Sequence, residues 1–401
     1  MPHPDFGRVG ILHGGGGFAQ GLPGAIHHRA IRKVLRKRFG IEQPFCSIGV
    51  SVGIFNSWDE NSADIFTKYF DNTTSVYKWS SVVEEPIERI LKSIPSPLFR
   101  HHESAREWWR DWSNYRKTRY KNRKEFFADM RKLASYLWHI VAGISLPLPL
   151  DRSPSPGELA SAVELLISEL KSYGLDISKI QGPFDLAPLM SSLEKIIDAD
   201  AILKNQTSTT LMLTRSGKHE HVFAYGATLP VETLAKLEKR CQIHWVQTAS
   251  EFFLAGKACV SLPPAFPPVK INGGIYWDVG DKNPFPAEYL MDAGCDTIFC
   301  FVKDYWNACS AYNPETDDFT QRQLETAEMS ISTIFMDRYE RVTERAEREG
   351  KKVYVITSKL PPPDTQILKT TPEATKYTFR VETEAINKWI KDNLNIDPAD
   401  D

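Results

Sequence analysis

RVGILHGGGGFAQG, residues 8–21, followed by PFCSIGVSVG, residues 44–53, decides how this chain is read. Residues 8–12 are a short apolar run suited to a buried strand, and Gly14–Gly17 break it. From about Gly24 to Arg38, Ile26, Ala30, Ile31, Val34 and Leu35 recur at helical spacing. Residues 44–50 return to a buried strand. Strand, glycine loop, helix, strand is the opening of an α/β sheet.

Two glycine signals lie in this stretch. Four consecutive glycines between a strand and a helix let backbone amides approach a ligand with no side chain in the way, and a helix N-terminus favours negative charge there. A nucleotide phosphate, a dinucleotide pyrophosphate and an oxyanion would all suit it, as would a plain turn with no ligand. A P-loop needs Gly-Lys-Ser/Thr, and no lysine occurs before Lys33. A dinucleotide site wants an acid about 20 residues on, where this chain is basic (RKVLRKRF) and carries only Glu42. The oxyanion reading fits best. The second signal, Gly49-Val-Ser51-Val-Gly53, closes a strand ahead of an apparent helix. Glycines flanking a serine permit the sharp turn that exposes its hydroxyl, the pattern of a nucleophile elbow.

A serine nucleophile needs a base. In the order Ser, Asp/Glu, His a late histidine would be required, yet the last of the ten histidines is His244. His27 and His28 fall on the helix after the glycine loop, and His13 precedes it; packing roles suit all three. A carboxylate acting directly on the serine is the alternative, with its proton affinity raised by burial. The candidate region is residues 263–286, PPAFPPVKINGGIYWDVGDKNPFP, with Asp278 and Asp281 in it.

Three ordered blocks of this chain resemble the patatin-like phospholipase family. They are the strand with its GGG-type loop and GxSxG over residues 8–57; the run Ala258 to Val269 with Gly274-Ile-Tyr276-Trp-Asp278-Val-Gly280 and Asn283-Pro; and Ala293-Gly294-Cys-Asp296-Thr-Ile298 entering a further strand. A weaker match persists at Val353–Pro361. The resemblance implies a three-layer α/β/α fold with Ser51 as nucleophile and Asp278 as base of a Ser-Asp dyad. It implies an oxyanion hole from the amides of Gly14, Gly15, Gly16 and Gly17, and neither metal nor cofactor. The implied activity is that of a lipid acyl hydrolase, a phospholipase A or lysophospholipase-type esterase acting on phospholipid or other lipid esters. A catalytically weak, lipid-binding or partner-regulated module is the alternative.

The chain departs from the family pattern in two places. Phe18 and Ala19 stand where Arg or Lys usually follows the glycines. Val279 stands where the aspartate motif usually has glycine, and if that position takes a positive φ, a β-branched residue would be strained there.

The separation of 227 positions from Ser51 to Asp278 leaves room for an insertion. The expected organisation is a first core segment over 1–95, a helical insertion or cap over 96–205, and a second core segment over 206–401. Within the insertion a helix is expected at 157–173, after the proline-rich LPLPLDRSPSPG. Residues 100–132 hold eleven Arg/Lys against five acids, interleaved with Trp108, Trp109, Trp112, Tyr115, Tyr120, Phe126 and Phe127. Such a segment suits peripheral contact with lipid headgroups, or a helix with a core face and a solvated face. Nucleic acid is not an expected partner, and an activating partner belongs to the alternative, partner-regulated reading. Strands are expected within 208–225 and at 275–277, 297–302 and 352–357, with helices over 320–349 and 382–394.

Composition is that of an ordinary globular protein, with 42% apolar and 25% charged residues and a net charge of −2. The six cysteines show no CxxC or metal-ligand spacing, so reduced thiols are expected. The N-terminal residues lack a basic segment followed by an apolar stretch, and the most apolar run, 140–150, is too short to span a bilayer. The expected location is cytoplasmic, at most peripheral to membranes.

Overall fold

The computed structural model describes residues 5–16, 18–58, 62–63, 78–79, 184–204, 207–263, 266–306, 319–358 and 372–397. Its elements run β1 (Val9–His13), α1 (Phe18–Phe39), β2 (Cys46–Gly49), α2 (Ile54–Trp58), β3 (Lys78–Trp79), β4 (Phe184–Asp185), α3 (Ala187–Leu193) and α4 (Ala199–Lys204). Next come β5 (Thr209–Ser216), β6 (His219–Gly226), α5 (Val231–Glu238), β7 (Gln242–Trp245), α6 (Ala249–Val260), β8 (Val269–Ile271), β9 (Gly274–Asp278) and α7 (Ala287–Asp292). The last four are β10 (Thr297–Val302), α8 (Phe319–Glu349), β11 (Lys352–Thr357) and α9 (Pro372–Leu394).

The chain divides into two compact units, one made of 1–78 with 186–401 and the other of 79–185. Strands β3 and β4 pair with each other. The expected helix at 157–173 and the basic aromatic segment at 100–132 lie outside the described residues.

The centre of the first unit is a mostly parallel sheet in the order β11-β10-β1-β2-β5-β6-β7. The five strands from β11 to β5 are all parallel. Strands β1, β2 and β10 are buried along their whole length, as a parallel sheet covered on both faces requires. The side chains alternate accordingly. Leu12, Ile48, Val50, Leu211, Ile298, Cys300 and Val302 share a core with Leu290 of α7 and Phe335 of α8. On the opposite face, Phe299 packs edge-on against Trp389 of α9, and His13 against His28 of α1.

Beyond β5 the pairing changes. β6 returns antiparallel to β5, and the far end of β5 also takes up β9 through Thr214↔Asp278 and Arg215↔Trp277. The last β2–β5 pair is Gly49↔Met212. Asp278 therefore joins β5 two residues beyond the point where β2 stops, beside the chain as it turns into Ser51.

Among the described residues, the expected strands and helices occur where the apolar pattern placed them, with shifted ends. α1 begins at Phe18 and runs through Gly21, Pro23 and Gly24, although these residues disfavour helix interiors. The glycine at 24 has a packing reason: a Cβ there would stand 3.0 Å from Asn56 Nδ2, which donates to the Gly21 carbonyl. α9 begins ten residues ahead of the expected 382, with Pro372 in its first turn.

Candidate active site

Val50 is still extended, with φ −119° and ψ 131°, and its amide donates to the His13 carbonyl at 3.0 Å. Ser51 then takes φ +52°, a left-handed conformation that costs a non-glycine residue about 1–2 kcal/mol. A single 3₁₀ turn over Ser51–Gly53 leads into α2. The flanking glycines are demanded by contact. A Cβ at Gly49 would lie 2.5 Å from Ile54 Cα, and one at Gly53 would lie 2.4 Å from the His13 carbonyl oxygen and 2.6 Å from that of Gly14. Both are backbone neighbours that cannot swing aside. Behind the elbow, Trp58 of α2 packs on Phe252 of α6, and a Cβ at Gly256 would meet the Trp58 ring at 2.4 Å.

The glycine loop crosses directly over the serine: a Cβ on Gly15 would stand 2.9 Å from Ser51 Cβ. Gly16 has φ +140°, within the glycine-favouring range. Gly14 differs from its neighbours, because its amide donates to the Phe301 carbonyl at 2.8 Å and extends the β1–β10 ladder. This corrects the expectation that all four glycine amides are available to an oxyanion. Gly17 lies outside the described residues, as does the side chain of Phe18.

Asp278 closes β9 and is fully buried. Its amide donates to the Ser261 carbonyl at 3.1 Å. Its Oδ1 accepts the Gly280 amide at 2.8 Å, in a gap where a Cβ on Gly280 would come within 3.2 Å of that oxygen. Oδ2 has no hydrogen-bond partner among the described residues. Burial pushes the carboxyl pKa from 3.8 up to about 7; the facing Ser51 hydroxyl and the Gly280 amide oppose the rise, Asp281 adds to it, and Arg215 opposes it. Ser51 thus interacts with the carboxyl without closing a full hydrogen bond to Oδ2. The structure brings Ser51, Gly15 and Asp278 together, with Gly16 next to Gly15 in the loop.

Val279 overturns the expectation of strain. Its φ is not positive, its side chain is fully buried in the core, and its carbonyl accepts the amides of Lys282 and Asn283, each at 2.8 Å. The turn after Asp278 is built from these two bonds, so a β-branched residue fits it.

The histidines near the loop are enclosed. Burial lowers the His13 pKa to about 3, helped by the Arg32 charge. It lowers His28 well below its ordinary value as well, helped by His13 and Arg32. His27 Nε2 meets Glu382 Oε2 at 2.9 Å, tying α1 to α9. Among the described residues no group of three or more His, Cys, Asp or Glu is placed to hold a metal ion. Cys46, Cys241, Cys259, Cys295 and Cys300 are free and buried, and Cys309 lies outside the described residues. No helix among the described residues is long and apolar enough to cross a membrane.

Sequence reasoning passed over Arg215, which packs against the aspartate turn from β5 and makes an ion pair with Asp281. An arginine late in a strand carries no signal until the partner of that strand is known.

Comparisons with known proteins add little to this geometry. No family model matches the chain, and neither does any curated protein. Among solved structures, VipD from Legionella pneumophila matches with a TM-score of 0.36 and 12% identity over 97% of this chain and 68% of that one. A likeness this slight carries no weight in assigning a function.

Proposed function

We propose that this protein is a patatin-like hydrolase that cleaves carboxylic esters of lipids through a Ser51–Asp278 dyad. One observation carries the reading: a serine held at positive φ on a strand-to-helix turn, facing a fully buried carboxyl that interacts with it. Asp278, once ionised, accepts the Ser51 proton as the hydroxyl oxygen attacks the ester carbonyl. The negative charge that develops on the carbonyl oxygen falls under the glycine loop, where the amides of Gly15 and Gly16 serve as donors. The alcohol leaves, and water then attacks the acyl-serine with the same carboxylate as base. The lipid character of the substrate rests on the sequence resemblance. Peripheral membrane contact through residues 100–132 is proposed from their basic and aromatic composition, with a cytoplasmic site of action; regulation by an activating partner belongs to the alternative reading.

The test is direct. A fluorophosphonate probe should label Ser51, and the purified protein should hydrolyse a short-chain nitrophenyl ester, measured with and without phospholipid vesicles. Labelling that persists unchanged in Ser51→Ala would overturn the assignment.

A further inference from the structure

Asp278 sits at the end of a short strand, and the turn after it carries a second acid three residues on. Left alone, Asp281 would press on Asp278 with a like charge and would itself draw the turn outward to water. Arg215 meets both problems with one planar group. Its Nε donates to the Asp278 carbonyl at 3.2 Å, one amino nitrogen donates to Asp281 Oδ2 at 2.9 Å, and the other donates to the Gly217 carbonyl at 3.1 Å. The guanidinium also lies 5.7 Å from the Trp277 ring centroid. The fork therefore ties the β5–β6 turn to the aspartate turn, across the register pair Arg215↔Trp277.

We infer that Arg215 is a positioning residue for the Ser51–Asp278 pair, which holds the Asp278 turn in place and neutralises Asp281 beside it. The inference rests on the proposed Ser51–Asp278 dyad. The groups that face the Asp278 carboxyl are few. Ser51 comes from the elbow and the Gly280 amide from its own turn. Among the described residues, Asp281 and Arg215 are the two charges. Cys259 of α6 is close enough for the Asp278 charge to add to the burial that pushes its thiol well up, so it is neutral. Lys282 is turned away to the Lys218 carbonyl. The charge balance at the base is thus set by one arginine and one aspartate, and each can be removed separately.

The experiment follows the acid limb of the pH profile, read both as kcat/KM on a nitrophenyl ester and as the rate of Ser51 labelling by a fluorophosphonate. Arg215→Met leaves Asp281 uncompensated, so the limb should move to higher pH by about 0.5–1 unit. Asp281→Asn leaves the arginine uncompensated, so the limb should move to lower pH by a similar amount. The double variant should return towards wild type. Arg215→Lys should restore the limb while kcat stays reduced, because a lysine carries the charge without the fork. A purely structural role would lower stability and rate without opposite displacements of the limb. Should Arg215→Met fail to fold, Asp281→Asn alone decides, since its carboxylate is partly exposed. Limbs that stay in place in the single variants, while Asp278→Asn abolishes turnover, overturn the role of Arg215 and leave the dyad standing. Full turnover in Asp278→Asn overturns the dyad, and the inference with it.

Discussion

The two halves of the site are held by different means. Ser51 stands at the end of the parallel part of the sheet, and backbone crowding fixes it: Gly49, Gly53 and Gly15 each occupy a gap that a single methyl group would overfill. Asp278 stands where the sheet has turned antiparallel, and discrete polar contacts fix it: its amide on Ser261, its carboxyl on the Gly280 amide, its carbonyl on Arg215. The serine half is rigid because nothing can enter it. The aspartate half is adjustable because it is assembled from separable bonds. Damage to the first should be all or none, while damage to the second should be graded and sensitive to pH.

The largest effect tests the chemistry of the rigid half without touching its packing. Ser51→Ala should reduce nitrophenyl ester turnover by ~10⁴-fold or more and leave the far-UV spectrum unchanged. Ser51→Gly should be equally inactive and more stable than the alanine variant by about 1 kcal/mol, measured by urea unfolding, because glycine is at ease at φ +52°.

Asp278→Asn should cost nearly as much activity, since an amide cannot accept the serine proton. It also carries a signed stability prediction. The folded-state pKa of Asp278 is raised from 3.8 to about 7, so the native state binds the extra proton, and stability falls as pH rises through that window. The asparagine variant escapes this, and above pH 8 it should be more stable than wild type by up to about 4 kcal/mol. For the same reason, wild-type kcat/KM should climb with pH through an acid limb centred near 7. A limb near pH 4 would place the base elsewhere.

Smaller effects sharpen the contrast. Gly53→Ala drives a methyl group onto the carbonyls of His13 and Gly14 and should destabilise by about 2–3 kcal/mol. Its remaining folded fraction should be inactive, because the elbow shifts as a body. Val279→Gly, in the adjustable half, should destabilise by about 3 kcal/mol through the cavity and the freed backbone, with activity lowered in part rather than abolished. Smallest of all, EDTA should leave turnover unchanged, since no step of the proposed mechanism passes through a metal. A loss restored by added Ca²⁺ would show an ion at work.

These halves also differ in how far they could be read from sequence. The elbow was legible because its constraints are local: Gly49, Ser51 and Gly53 lie within five residues, and their steric needs leave a pattern. The aspartate half was legible only in part. Whether Val279 would be strained depended on its φ, which the bonds from Lys282 and Asn283 set. The fate of the Gly14 amide depended on Phe301, far along the chain. Arg215 gained its meaning only when β9 was laid beside β5. The short elements α5, β7 and α7 escaped notice because six to eight residues, or four in a strand, carry too little periodicity.

The order in which the strands are made has a biological corollary. The neighbours of β1 in the sheet are β2 and β10, and β10 begins at Thr297, well over half the chain later. During synthesis at ~5–20 residues per second, roughly 10–45 s separate the appearance of Ser51 from that of Asp278. Throughout that interval Ser51 is without the carboxylate proposed as its base, and β1, which leads into the glycine loop, waits still longer for its β10 neighbour. On the proposed mechanism, a nascent chain on the ribosome therefore stays without hydrolytic activity until the late segment carrying Asp278 docks.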